Sequence, residues 1–191
     1  MASSEVAISN MALDLLGAAR ITSLADDSRN ARACNACYAQ IRDQELRAHV
    51  WNFSKKRATL AASAVTPDFD FDYAFPLPTG CLRVLPPKRT GLDWTIENHD
   101  GRSAILTNDG DTLEVVYIAQ ITDPTVFDAL FDDALAAKMA LHMCEAITQS
   151  NAKKADAKDE YVAAIRRAKR VNAIEQVPQD AAEDTWLAAR R

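Results

Sequence analysis

The hydrophobic period of this chain changes twice, and the two changes narrow what it can fold into. Before Trp51 apolar residues recur every three to four positions, the spacing of an amphipathic helix. Between Trp51 and Asp123 the spacing shortens toward two, the repeat of a strand. After Pro124 the helical period returns. The order is therefore two helices, a β insertion, two helices. Neither helical pair buries its apolar faces alone, so the two pairs are expected to meet. The expected class is α+β: a four-helix bundle, two helices N-terminal and two C-terminal, with an inserted small antiparallel β-sheet and an extended C-terminal tail. Residues 1–51 and 124–175 make the bundle, 52–123 the β domain, and 176–191 a docking tail.

Ser3 and Ser4 offer a cap for a first helix from about Glu5 to Leu16, with Ile8, Met11, Ala12 and Leu15 on its packing face. Gly17 suits the position just past its end. After a short linker, Asp26, Asp27 and Ser28 supply caps and negative charge for a second helix reaching about Val50. Cys34, Cys37, Tyr38, Ile41 and Ala48 share one face of it; Arg29, Arg32, Asp43 and Arg47 lie opposite. A third helix is expected from Pro124, a good first-turn residue, to about Gln149. Asp128, Asp132, Lys138, His142 and Glu145 form its polar stripe, and the apolar remainder makes it central. A fourth runs from about Ala152 to Ile174 and packs through Tyr161, Val162, Ile165 and Ala168. Pro178 closes it.

Within the insertion, Phe69, Phe71 and Tyr73 alternate with Asp68, Asp70 and Asp72, which reads as a strand with one solvated face. In Tyr73-Ala-Phe-Pro-Leu-Pro-Thr-Gly-Cys-Leu-Arg-Val84 two prolines and a glycine break a strand-like run. Proline cannot donate to a ladder, so pairing is expected to resume near Cys81. Residues 93–98 and 103–107 flank Asp100-Gly101, a type I′ hairpin signal. Asp109-Gly110 repeats it before a strand over 112–119.

The formal net charge is −5. Residues 51–123 carry 7 basic and 10 acidic groups, a balance of −3, and no segment is basic overall. That argues against a protein held on nucleic acid by phosphate neutralisation. No apolar run approaches the roughly 20 residues of a membrane span, and no signal peptide is recognised.

Isolated motifs point away from catalysis. Cys34-x-x-Cys37 suggests a redox pair or half a zinc site, but no second pair or His-x-x-x-His accompanies it. Both cysteines lie on a packing face, where cysteine is a small hydrophobe. Asp68-x-Asp70-x-Asp72 lacks the glycine and late glutamate of a calcium loop. His49, His99 and His142 keep no catalytic spacing with a nucleophile. His49 stands at a helix end, where a cation favours the dipole. Arg166-Arg-Ala-Lys-Arg170 reads as a solvated last stretch of helix rather than a DNA patch. Trp186-Leu187 in a polar tail is either a hook into another subunit or a tail folded back. No metal, cofactor or catalytic residue is expected.

Three markers in order carry a family resemblance: Leu46-Arg-Ala-His-Val-Trp-Asn-Phe53, then Tyr73–Val84, then Tyr117-Ile-Ala-Gln-Ile-Thr-Asp-Pro-Thr-Val-Phe-Asp-Ala-Leu-Phe131. With Leu15-Leu-Gly17 and Ile21-Thr-Ser-Leu24 they resemble the head-to-tail adaptor of short-tailed phages, the tail tubular protein A family. The likeness spans Leu15 to Ile147 and fades in the last 40 residues. It implies a virion structural protein without catalysis, a ring of twelve copies joining the portal to the tail nozzle, through which double-stranded DNA passes. The protein would sit at the head–tail junction of the virion, and in the host cytoplasm before assembly. The tail, with Trp186, Leu187, Arg190 and Arg191, would dock the portal. Arg29, Arg32, Arg47, Asp100, Arg102, Asp109 and Asp111 would make ring or nozzle contacts. Twelve copies would carry roughly −60 charges, a field that repels DNA from the channel wall. The alternatives are a head-completion stopper or connector of a long-tailed phage, and a redox protein using Cys34 and Cys37.

Overall fold

A computed structural model describes residues 4–86, 91–110 and 112–175. Its fold is α+β, with four helices and two small antiparallel sheets. Helix α1 spans Glu5–Leu16. The Ser4 hydroxyl accepts from the Ala7 N–H at 3.1 Å, satisfying one of the first-turn donors. Gly17, at φ 67°, turns the chain left-handed and returns its N–H to Asp14. Lys153 Nζ donates to the Leu16 carbonyl at 2.8 Å, so the fourth helix caps the end of the first.

Helix α2 spans Arg29–Ala48 behind a Ser28 cap. It stops two residues short of Val50 because His49 is extended, at φ −136° and ψ 160°. Helix α3 spans Ala129–Thr148, five residues later than the proline suggests. Pro124 opens a separate 3₁₀ turn, Pro124–Val126, capped by Asp123; extended Phe127 ends it, and Asp128 caps α3 afresh. Helix α4 spans Asn151–Ile174 behind Ser150.

Helix α3 packs against α1, α2 and α4, while α1 meets α2 and α4 much less. Its nearly continuous apolar surface makes this possible: Phe131, Leu135, Met139, Ala140 and Cys144 are fully enclosed. Several expected faces turn out differently. Leu15, Ala48 and Val162 are exposed, and Leu13 and Leu16 do the packing in α1 instead. Asp132, expected in a solvated stripe, is buried. In α2 the buried face also takes in Arg42 and Glu45.

The β region holds two sheets rather than one. Strands β1 (Lys55–Ala61), β6 (Thr112–Ala119) and β3 (Cys81–Val84) form the first, in the order β1-β6-β3. Strands β2 (Tyr73–Pro76), β5 (Arg102–Thr107) and β4 (Trp94–His99) form the second, in the order β2-β5-β4. The chain passes back and forth between them, and only β4 and β5 are consecutive strands of the same sheet.

Pairing starts at Tyr73, not Cys81. Tyr73 faces Thr107 and Pro76 faces Ala104. Strand β2 lies at the edge of its sheet and the proline is its last residue, where no further donor is needed. The hairpin at Asp100-Gly101 forms as expected: φ is 50° and 75°, and His99 faces Arg102. Asp109-Gly110 closes no hairpin. It carries the chain from β5 in one sheet to β6 in the other.

The aspartate–aromatic alternation is a loop. Phe69 is 77% exposed and Asp70 has φ 67°. The Asn108 side chain holds this loop, accepting from the Asp72 N–H at 2.7 Å and donating to the Asp70 carbonyl at 3.3 Å. Phe71 covers the outer face of the second sheet beside Ala74, Ala104 and Leu106. On the inner face Phe75 and Ile105 join the main core, which runs on through Leu113 and Val115 to the helices. The two-residue alternation thus exists, in β2 and β5 rather than in the loop.

Candidate interaction surface

The expected contact residues do not form one patch. Arg29 and Arg32 sit at the start of α2; Arg29 donates to the Ala146 carbonyl at the end of α3, and Arg32 pairs with Asp27. Arg47 lies about 27 Å along the same helix. Asp100 is a turn residue at the tip of the β4–β5 hairpin, and Asp109 lies in the β5–β6 connection. Asp111, Trp186, Leu187, Arg190 and Arg191 fall outside the described residues.

Arg47 and Arg102, however, are brought together. Both border a groove of about 630 Å³ between β3 and the β4–β5 hairpin. Its floor is the second half of the Tyr73–Val84 stretch, from Leu77 through Gly80 to Val84. The same stretch that supplies a strand to each sheet therefore also forms the cleft between them. Gly80 is held at φ 73°, with its carbonyl accepting from the Gln120 N–H at 2.7 Å, which fixes the bend of the floor. The Arg47 guanidinium donates to the Leu82 carbonyl, anchoring the end of α2 to the groove.

A third arginine, Arg83, joins them. Its Nε is buried without a hydrogen-bond partner. Among the described residues no carboxylate pairs with Arg47, Arg83 or Arg102. Three guanidiniums from a helix end, a strand and a hairpin thus border one cleft and lack counter-charges there. Arg47 and Arg102 are among the residues expected at contacts; Arg83 is not, although it stands inside the Tyr73–Val84 marker. The three are scattered in sequence, so no local pattern signals their meeting.

Comparison with family models finds no match for this chain, and comparison with curated proteins finds none either.

The cysteine pair is turned inward. Cys34 and Cys37 are buried on α2, where burial raises both thiols, Cys37 to about 12. A thiol held that high is a poor nucleophile at neutral pH. Among the described residues no group of three His, Cys, Asp or Glu side chains is placed to hold a metal ion. No helix among them is long and apolar enough to cross a membrane.

His49 departs from the cationic role expected at a helix end. Burial lowers its pKa, and the positive charges of Lys169 and Arg83 lower it further. Its Nε2 lies 3.2 Å from Asn172 Nδ2, an amide donor, so the neutral ring accepts there. Protonation would set donor against donor. A base whose folded pKa is depressed binds fewer protons folded than unfolded, so stability rises with pH through that window. The expected result is a chain that loses stability as pH falls below about 6.5, the unfolded histidine value. The loss levels off once pH is below the folded pKa. Urea midpoints at pH 7.5 and 5.0 check it; His49→Gln should flatten the difference, and an equally steep fall in the variant would refute the assignment.

Proposed function

We propose that this chain is the head-to-tail adaptor of a short-tailed phage, a structural ring subunit between portal and tail nozzle. One observation carries the reading: the sequence markers of the resemblance are the joints of a single packed unit. Trp51 and Phe53, from the first marker, pack edge-to-face with Phe131 of the third at centroid distances of 5.0 and 5.1 Å. The second marker supplies one strand to each sheet and the floor of the cleft between them. The residues that carry the resemblance are thus ones on which this architecture depends, which supports the reading.

In this reading the four helices form the bundle that packs laterally around the ring. The β insertion projects toward the nozzle, and the tail beyond residue 175 reaches the portal. The surfaces do the work. Net negative charge on the channel wall repels DNA, a repulsion that salt screens within about 10 Å, so the wall does not hold it. The test is electron microscopy of the purified chain mixed with the portal protein from the same genome. A twelve-fold ring seated on the portal is the expected result. Absence of any ring with intact portal present would overturn the proposal, and copurification with a contractile or flexible tail tube would replace it by a long-tailed connector.

A further inference from the structure

The arginine groove carries one unmet buried donor, the Nε of Arg83. Arg47, Arg83 and Arg102 come from α2, β3 and β5, and none has a carboxylate partner among the described residues. The buried Arg83 Nε costs folding free energy unless something accepts from it. A guanidinium presents five donors in a planar fork matched to a carboxylate. A groove of this volume, with such donors at its border, fits an extended acidic segment.

The chain carries such a segment close by. After Glu175 the sequence continues Gln-Val-Pro-Gln-Asp-Ala-Ala-Glu-Asp, with carboxylates at Asp180, Glu183 and Asp184 and no base before Arg190. The end of α4 is bound to the chain just after Arg47, at Val50 and Asn52. Asn172 donates to the Val50 carbonyl at 2.9 Å, and the Glu175 carboxylate accepts from Asn52 at 3.2 Å. His49, in contact with Asn172, feels the charge of Arg83. From residue 175, Asp180 is within about 17 Å and Asp184 within about 30 Å of extended chain. A stretch tethered this closely acts at millimolar effective concentration, so weak charge pairing suffices to hold it.

We propose that the groove bordered by Arg47, Arg83 and Arg102 binds the chain's own acidic segment, residues 180–184, with carboxylates answering the three guanidiniums. The segment would be latched in the isolated chain, and its release would free both the groove and Trp186-Leu187 for partners. The inference does not rest on the ring reading, since it concerns one copy alone.

Cys81, which lines the groove, gives a reporter already in place. In the full-length chain carrying Ala182→Cys, mild oxidation at pH 8.5 should form a disulfide between residues 81 and 182 within one molecule. Peptide mass spectrometry and a monomer band on a non-reducing gel would identify it. The rate should fall about tenfold in 0.5 M salt, because the pairing is electrostatic. It should fall as far with Arg83→Glu. Should that variant fail to fold, the triple change Asp180→Asn, Glu183→Gln and Asp184→Asn removes the same pairing from a segment outside the described core, and the same fall is expected. No trapping, trapping indifferent to these changes, or a disulfide found only between two molecules would each overturn the proposal. So would salt-dependent binding of duplex DNA that Arg83→Glu abolishes while trapping stays absent, since the groove would then be a phosphate site.

Discussion

Phe131→Ala is expected to remove about 3–5 kcal/mol of stability, a large part of what a domain of this size possesses. Phe131 is fully enclosed at the start of α3. Its ring is at the centre of an aromatic group, 5.0 Å from Trp51, 5.1 Å from Phe53 and 5.1 Å from Phe127, in edge-to-face arrangements. Each such pair adds about 0.5–1.5 kcal/mol beyond burial. The neighbours cannot easily close the cavity. Trp51 is fixed by its indole N–H, which donates to the Glu45 carbonyl at 2.9 Å, and Phe53 sits in a 3₁₀ turn, Asn52–Ser54, tied to Asn172 of α4. Urea unfolding followed by circular dichroism should show a much lower midpoint with an unchanged slope. Phe131→Leu, which keeps most of the volume, should lose less than half as much. Equal losses in both variants would mean that ring geometry, not volume, decides, and a loss below about 1 kcal/mol for Phe131→Ala would mean that the group collapses freely.

This cluster also shows why some of the fold is legible in sequence and some is not. Trp51, Phe53 and Phe131 stand where the hydrophobic period changes, and those changes correctly mark the joints between helical and β segments. The caps are local too. Ser4, Ser28 and Gly17 act through neighbours three or four residues away, so the ends of α1 and the start of α2 follow from the letters alone. The start of α3 does not. Pro124 suits any helical first turn, and only the extended backbone at Phe127 separates a short 3₁₀ turn from the helix.

Partition into two sheets is illegible for a different reason. Pairing of β6 with β1 and β3, and of β5 with β2, depends on contacts across dozens of residues; only the β4–β5 hairpin is local. Local alternation says only that a residue faces one side or the other. The loop at 68–72 misleads in the same way: aspartate and phenylalanine alternate there, but Asn108, nearly 40 residues on, holds the backbone out of a ladder. The arginine groove follows suit. Its three cations come from positions 47, 83 and 102, and only the meeting of α2 with β3 and the hairpin places them together.

Glu45→Ala is expected to cost about 2–3 kcal/mol, and Glu45→Gln under about 1 kcal/mol. Heptad-like reasoning would leave a glutamate near the end of α2 in solvent, yet its side chain is only 7% exposed. The Tyr161 hydroxyl of α4 donates to Glu45 Oε1 at 2.9 Å. Lys138 Nζ of α3 lies 3.8 Å from the same oxygen and 4.5 Å above the Tyr161 ring. One carboxylate therefore joins three helices. Removing it leaves the tyrosine hydroxyl without its acceptor and the lysine without its counter-charge, and an orphaned polar group costs more than the bond was worth. Lys138 remains about a third exposed, so its share is discounted toward the lower end of the range for broken buried pairs. Glutamine keeps an acceptor for Tyr161 and gives up only the charge. Burial and the nearby carboxylate both push the Tyr161 phenol upward, so it stays a neutral donor across the working pH range. Combining Glu45→Ala with Tyr161→Phe should therefore cost about 1 kcal/mol less than the sum of the two single changes, because each single change already breaks the shared bond. Strict additivity in that cycle would show the contact to be energetically silent and leave packing alone to hold α4 against α2.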